Sequence, residues 1–193
     1  MAFTFHHIKT RSSFRETYLR IAEDNDSLIA PAHRWGAFFG LFGLGSDEFF
    51  LVTTGNTSSV HSTLQGIESI ETVRSIELEP TARPTTDTRL TREGLYVFRF
   101  FGVLNKDVER IVNLSAEAWT FFEKSDEYQA EPQGLFCEAD RTKAKGLMLL
   151  VTWYDGLNSW QISRRPPPEA AANFQERATL TYFTKPFATR LLS

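Results

Sequence analysis

Cysteine is almost absent from this chain, because Cys137 is the only one among 193 residues. A single cysteine excludes an intrachain disulfide and favours a reducing compartment. Runs of lysine and arginine are also lacking, and the formal net charge is −3. Because contacts to phosphates need clustered basic residues, we expect no nucleic-acid partner.

Long apolar runs are missing as well. No stretch approaches the ~20 consecutive apolar residues that a transmembrane helix needs. The first residues, MAFTFHHIKTRSSF, lack the basic and apolar segments of a signal peptide. We therefore expect a cytoplasmic protein without a membrane partner.

Aromatic residues, by contrast, are abundant, with 17 phenylalanines and an aromatic share of 13%. They are concentrated in the stretch 34–54, RWGAFFGLFGLGSDEFFLVTT, which predicts two strands joined by a turn at residues 43–47. Side chains on both faces of this hairpin are apolar. Both faces must therefore be covered in the folded protein.

The same order of elements occurs twice in the chain. The first copy is predicted to consist of a strand at 3–8, a helix from the capping box Ser13–Glu16, the hairpin 34–54, a short helix at 57–67 and a strand at 75–79, which Pro80 ends. The second copy is predicted to consist of a strand at 96–101, a helix at 106–124, a polar connection at 125–132, a hairpin at 133–139 and 146–154, helices after Asp155 and at 169–177, and a strand at 179–183. The tail from 184 to 193 is expected to lie over the surface.

Each copy has the order βαββαβ of a ferredoxin-like unit. We therefore predict an α+β fold with a first unit at 1–80, a linker at 81–93 and a second unit at 94–193. Helices cover one face of each antiparallel sheet, so the bare face must be buried. The two bare faces can pack into an α+β barrel with the helices outside, as an internal pseudo-dimer within a monomer. Alternatively, each unit buries its bare face in a homodimer.

The tandem pattern, with its aromatic first strand and the hairpin GAFFGLFG…DEFFLVT, resembles the dimeric α+β barrel superfamily and, within it, NIPSNAP-like proteins. The resemblance covers nearly the whole chain. It implies a ligand inside the barrel or in the cleft between sheet and helices. Members include cofactor-independent monooxygenases of aromatic polyketides and haem-binding chlorite dismutase-like proteins. The latter bind haem through a histidine of the second unit. This chain has no histidine after residue 61, so we expect no haem.

His6 and Arg99 are the candidate catalytic residues, because they occupy matching positions in the first strand of each copy. If the all-aromatic face of that strand lies against the helices, both side chains project into the shared interior. A buried cation needs a partner, so Arg99 would hold an anionic or carbonyl oxygen of a ligand, and His6 would act as general base. Alternatively, nearby glutamates satisfy both residues, which then only stiffen the barrel.

Four aromatic residues are the candidates for substrate binding: Trp35, Phe38, Trp153 and Tyr154. They would line a void left by Gly36 and Gly40, which suits a flat apolar ligand; alternatively, they fill the core. His61 is expected to face solvent. The spacing of the four histidines matches no metal-ligand set, so we expect neither a metal nor another cofactor.

Two functions remain open from the sequence. The first is a non-catalytic ligand-binding or assembly protein of the NIPSNAP-like type. It predicts an apolar outer surface built from Phe183, Phe187, Leu191 and Leu192. The second is an enzyme, a cofactor-independent monooxygenase, isomerase or lyase acting on an aromatic or carbonyl compound. It predicts a closed pocket that reaches both His6 and Arg99.

Overall fold

The computed structural model describes residues 1–124 and 128–192, so the predicted connection at 125–132 lies partly outside the described residues. The strands are β1 (Phe3–Thr10), β2 (His33–Phe42), β3 (Glu48–Thr54), β4 (Ile70–Arg83), β5 (Leu95–Leu104), β6 (Ala130–Glu138), β7 (Lys145–Tyr154) and β8 (Thr181–Leu191). The α-helices are α1 (Phe14–Ala22), α2 (Val60–Gln65), α3 (Val108–Glu123), α4 (Leu157–Ser163) and α5 (Pro168–Thr179). Within the described ranges, none of these helices has the length and apolar character needed to cross a membrane.

The chain divides into two compact units. The first unit contains Met1–Glu79, Thr86–Arg92 and the C-terminal residues from Phe187, and the second contains Pro80–Thr85 and Glu93–Pro186. In the first unit the strand order is β4-β1-β3-β2, and in the second it is β8-β5-β7-β6. The pairings within each order are antiparallel wherever their register is defined, as between β1 and β3 or between β5 and β7. This order is that of a ferredoxin-like unit, so the predicted α+β fold with two such units is confirmed.

In the first unit, α1 and α2 cover one face of the sheet. Ser13 caps helix α1, since its hydroxyl accepts a hydrogen bond from the backbone N–H of Arg15 at 3.3 Å, so the predicted start is confirmed. One stripe of each helix is buried against the sheet, because apolar side chains recur with helical spacing. The shared core includes Tyr18, Ile21, Val60 and Leu64 from the helices and Ile8, Phe49 and Leu51 from the strands.

In the second unit, α3 covers the sheet in the same way. Its stripe of Val108, Ile111 and Trp119 packs against Phe101 and Val103 of β5. Residues of β6 and β7 complete this cluster, among them the free thiol of Cys137. The predicted helix is confirmed, although its first residues, Asn105–Asp107, form a separate 3-10 turn.

The helix-facing side of each sheet is the reverse of the predicted one. Ile8 lies among the helices of the first unit, and Phe101 lies among those of the second. Because side chains alternate along a strand, His6 and Arg99 also face the helices of their own units. The aromatic residues of β1 pack on the opposite face, where Phe5 meets Phe50 edge-on at a centroid distance of 4.8 Å. Edge-to-face pairing between aromatic rings is favourable, so the aromatic face of β1 is buried without contacting the helices.

Two predicted strand ends are also wrong. Strand β4 continues through Pro80 to Arg83. Its pairing with β1 ends at Leu78, so the missing N–H of Pro80 removes no hydrogen bond to that strand. The tail predicted for the surface is instead the second half of β8, and Thr189 pairs with Gly40 of β2. This pairing covers backbone groups of β2 that would otherwise form an open sheet edge.

The predicted apolar outer surface is only partly present. Phe187 and Leu192 are buried in the first unit, so they do not contribute to such a surface. Phe183 is exposed to 43%. The burial of the C-terminal apolar residues follows from the pairing of β8 with β2.

Tyr18 forms a hydrogen bond with Leu192, the last described residue of the chain. Its hydroxyl donates to the carbonyl oxygen of Leu192 at 3.1 Å and accepts from Nη1 of the buried Arg34 at 2.6 Å. Replacing Tyr18 with phenylalanine leaves both groups without this partner. We expect the free energy of unfolding to fall by about 1–3 kcal/mol, measured by urea denaturation. Tyr182→Phe, at an exposed tyrosine, is the control. Equal stability of the two variants would contradict the assigned role of Tyr18.

Candidate functional site

A cavity of about 770 Å³ lies in the second unit, between the sheet and the helices. This volume is within the range of pockets that hold small molecules. The sheet contributes Arg99, Phe101, Leu150, Thr152 and Tyr154, and the helices contribute Trp119, Phe122, Trp160, Phe174 and Arg177. All lining residues belong to the second unit.

The alternation of side chains along β5 and β7 builds the floor of the cavity. Arg99 pairs with Leu150 across these two strands. The residues two positions further along each strand point the same way, so Phe101 and Thr152 lie on the same face. Tyr154 follows at the end of β7. The floor is thus a mixed surface with one guanidinium group among apolar and hydroxyl-bearing side chains.

Helix α5 forms part of the opposite wall. Ala170, Phe174 and Arg177 recur with helical spacing, and Ala170 packs in one cluster with Ala118 and Phe122 of α3. The guanidinium carbon of Arg177 lies 4.8 Å from the ring centroid of Phe174 and 5.2 Å from that of Phe101. Arg177 also donates a hydrogen bond to the Ser115 hydroxyl at 3.1 Å. These contacts hold the cation in one orientation inside the wall.

Three arginines, Arg99, Arg164 and Arg177, line the cavity. Burial lowers the pKa of Arg99, and the charge of Arg164 lowers it further, whereas Tyr154 opposes the shift. Burial also lowers the pKa of Arg177, to about 10, with Arg99 adding to the effect. Arginine stays protonated in proteins, so both guanidinium groups are charged, and they lie close enough to repel each other.

The cavity is positively charged. Among the described residues that line it there is no aspartate, glutamate or histidine. The side chain of Arg99 forms no hydrogen bond or ion pair with any part of the chain that the structure describes. The three arginines therefore line a space to which the described residues contribute no carboxylate. Such a space suits an oxygen atom that carries negative charge.

Two of the predicted site residues, Arg99 and Tyr154, lie together at this cavity. Trp153 lies on the other face of β7, where its indole N–H donates to the carbonyl oxygen of Glu93 at 2.8 Å. Neighbouring residues of a strand point to opposite faces, so Trp153 and Tyr154 do not share a site. The roles predicted for Arg99 and Tyr154 remain predictions that experiments must test.

His6 is fully buried in the first unit and is not among the residues that line the cavity. Its two ring nitrogens are hydrogen-bonded to the hydroxyls of Ser75 at 2.8 Å and Thr53 at 2.9 Å. Burial lowers its pKa to about 3, and the nearby His61 contributes to the shift. A neutral, fully hydrogen-bonded imidazole with this pKa is a weak base at neutral pH. Its role as general base stays a prediction, and its surroundings argue against that role.

His61 does not face solvent, so that prediction is wrong. It is partly buried, and its Nδ1 lies 2.7 Å from the same Ser75 hydroxyl that contacts His6. The helical spacing placed His61 beside the buried Val60, but the partner on β4 became visible only in the folded chain. Hydroxyl groups, and not the glutamates considered from the sequence, satisfy His6.

Trp35 and Phe38 fill the core of the first unit. Both are buried, and Trp35 packs edge-on against Phe3 at a centroid distance of 5.7 Å. A Cβ atom placed on Gly36 would lie 2.6 Å from Cζ of Phe38. The ring of Phe38 therefore occupies the space beside Gly36, and the predicted void at this position is wrong. The alternative interpretation, in which these aromatics fill the core, fits both residues.

Sequence reasoning missed the residues that α4 and α5 contribute, above all Trp160 and Arg177. The sequence predicts a helix at 169–177, but none of its residues was a site candidate. Its stripe of Ala170, Phe174 and Arg177 nevertheless places an arginine on the apolar face. A cation on the buried face of a helix needs a partner, and this signal could have pointed to the site.

Solved structures of the same fold exist. An anthrone oxidase-like protein is 10% identical with a TM-score of 0.64, covering 100% of this chain and 92% of that chain. A monooxygenase-like protein from Listeria innocua is 12% identical with a TM-score of 0.57, covering 100% and 95%. A ferredoxin fold protein related to antibiotic biosynthesis monooxygenases, from Listeria monocytogenes 4b F2365, is 11% identical with a TM-score of 0.56. The match covers 100% of this chain and 95% of that chain. No family model matches the chain, and neither does any curated protein. At these identities the likeness shows the ferredoxin-like α+β fold alone.

Proposed function

We propose that the second unit binds a small, largely apolar aromatic molecule in the cavity between its sheet and its helices. The observation that carries this proposal is a cavity of about 770 Å³ whose walls combine aromatic rings with a few polar groups. Pockets for small molecules have this composition, since the apolar walls provide affinity and the polar groups fix orientation.

Four aromatic side chains on the helices give the cavity its apolar character: Trp119, Phe122, Trp160 and Phe174. Rings of this kind stack against a planar ligand or meet its edge. Phe101 adds a ring from the sheet. A flat aromatic molecule would therefore bury most of its surface between the two layers of the unit.

Filling the cavity should weaken binding of the ligand. Ala171 lines it from α5, whereas its neighbour Ala172 is exposed and does not line it. We expect Ala171→Trp to weaken binding of the neutral fluorescent probe N-phenyl-1-naphthylamine by about tenfold or more, because the indole occupies the space of the ligand. Fluorescence titration measures the affinity.

Ala172→Trp is the matched control, because it adds the same indole to the same helix outside the cavity. We expect it to bind the probe as the wild type does. Equal affinity of the wild type and both variants would show that the probe binds elsewhere. That result, or no binding to the wild type, would refute the proposal.

Catalysis is the second candidate function. The solved structures of similar fold include proteins named as monooxygenase-like and anthrone oxidase-like, and these names support an oxygenase as the reaction class. Against it, the described lining residues contain hydrogen-bond donors but no carboxylate or imidazole base. Oxygen uptake in the presence of anthrone, compared between the wild type and Ala171→Trp, tests this candidate. Equal rates would exclude catalysis in the cavity. The closer likeness to NIPSNAP-like proteins stays a prediction.

A further inference from the structure

The three arginines of the cavity come from different elements. Arg99 is on β5, Arg177 is on α5, and Arg164 follows the end of α4. We propose that the molecule bound in this cavity carries an oxyanion, held by Arg99 from the sheet and by Arg177 from the helix. This inference rests on the proposed function and names the chemical class of the ligand: an aromatic molecule with a carboxylate, sulfonate or phosphate group.

The first step of the argument is the state of Arg99. It is partly buried on the sheet, and within the described residues no hydrogen bond or ion pair engages its side chain. A guanidinium group removed from water is unfavourable unless a partner replaces the lost hydration. A ligand oxyanion would accept two of its N–H groups in the bidentate geometry that arginine favours.

The second step is the orientation of Arg177. It lies between the rings of Phe101 and Phe174 and is anchored by one hydrogen bond to Ser115. The planar group is therefore held before any ligand arrives, which reduces the conformational entropy lost on binding. Within the described part of the chain, Ser115 accepts the hydrogen bond of one Arg177 N–H group out of five, which leaves others for a ligand acceptor.

The third step is the repulsion between the arginines. Arg99 interacts unfavourably with Arg164, and Arg177 interacts unfavourably with Arg99. An oxyanion bound near them attracts the guanidinium groups and offsets their repulsion, whereas a neutral ligand leaves the repulsion in place. Hydrogen bonds to charged groups are stronger than neutral ones by an amount that corresponds to about tenfold or more in affinity.

Two probes with the same aromatic body test the inference. 1-Anilinonaphthalene-8-sulfonate carries a sulfonate that N-phenyl-1-naphthylamine lacks. In fluorescence titrations at low salt, we expect the wild type to bind the sulfonate at least about tenfold more tightly. Arg99→Met should weaken binding of the sulfonate at least about tenfold more than binding of the neutral probe, so that the preference for the sulfonate is lost.

Arg165→Met is the matched control, because Arg165 is exposed, adjoins Arg164 and does not line the cavity. We expect it to keep the preference for the sulfonate. Arg164→Met, at an exposed residue of the lining, should lose part of it. If Arg99→Met does not fold, Arg164→Met and a salt titration decide: raising NaCl from about 50 mM to about 500 mM should weaken binding of the sulfonate but not of the neutral probe.

Each outcome separates this inference from the proposed function. If the wild type binds both probes equally, or if salt and the arginine variants leave the preference unchanged, the oxyanion site is refuted while the cavity still binds an aromatic molecule. If Ala171→Trp leaves binding of the neutral probe unchanged, the cavity itself is not the binding site and the proposed function fails.

Discussion

Replacing Gly94 with alanine is expected to lower the free energy of unfolding by about 3 kcal/mol or more. Gly94 has φ of +150°, a backbone conformation that side chains with a Cβ rarely adopt. An added Cβ would overlap Nε1 of Trp153 and lie 2.5 Å from the carbonyl oxygen of Tyr154. Relief of this overlap would displace the indole and break its hydrogen bond to Glu93. Chemical denaturation followed by tryptophan fluorescence measures the loss.

Gly156 offers a matched control in the same unit. Its φ of −176° is extended, and a Cβ added there meets no atom within 4 Å. Alanine fits this conformation, so we expect Gly156→Ala to change the free energy of unfolding by no more than about 0.5 kcal/mol. Similar stability of the Gly94 and Gly156 variants would show that the packing around Trp153 does not depend on the bare glycine.

Acidification is expected to destabilise the protein through His6. In the folded chain its pKa is lowered to about 3, whereas an unfolded histidine has a pKa near ~6.5. Between these two values the unfolded state binds more protons, so stability rises with pH over this window and is lost as the pH falls below about 6.5. Within this window, the stability that His6 contributes falls by about 1.4 kcal/mol for each pH unit of acidification. Above the window, the full contribution is present.

Comparison with His6→Gln isolates this contribution. Glutamine keeps hydrogen-bonding capacity for the hydroxyls of Ser75 and Thr53 but does not titrate. Urea denaturation between about pH 4 and about pH 7 should give a steeper loss for the wild type than for His6→Gln. His33→Gln, at a half-exposed histidine, should keep the steep slope. Parallel curves for the wild type and His6→Gln would mean that His6 is protonated in the folded state.

Local patterns predicted most elements of the fold, because a strand or a helix needs only its own periodicity to be recognised. The capping serine of α1, the apolar stripe of α3 and both hairpins were found in this way. The full length of β8 was not predicted, because the stretch from residue 184 has no strong alternation of apolar and polar residues. Its pairing with β2, as at Thr189 and Gly40, depends on a strand almost 150 positions earlier in the sequence.

The candidate site was predictable only in part. Tyr154 was predicted to line a void in the first hairpin that the ring of Phe38 fills. Arg99 was predicted from its position in the first strand of the second copy, which is a local signal, and only the structure shows that Arg99 and Tyr154 line one cavity. Their common neighbour Arg177 belongs to a helix about 80 positions after Arg99. The pairing of His6 with Arg99 followed from their equivalent positions in the repeat. The two residues share a strand position and a face, yet His6 is hydrogen-bonded to hydroxyl groups whereas Arg99 lines a cavity.

The sequence by itself determined the order of the elements, the repeat and therefore the ferredoxin-like α+β class, because these depend on the alternation of apolar and polar side chains over short stretches. The tertiary structure alone decided which face of each sheet meets the helices. In the first strand of each unit, one face is aromatic and the other is mixed. The alternation of side chains predicts burial for both faces and does not show which of them meets the helices. The choice follows from packing: Ile8 and Val103 interlock with helix side chains, while Phe5 packs edge-on against Phe50. That choice is what places Arg99 opposite Arg177 and opens a cationic cavity between them.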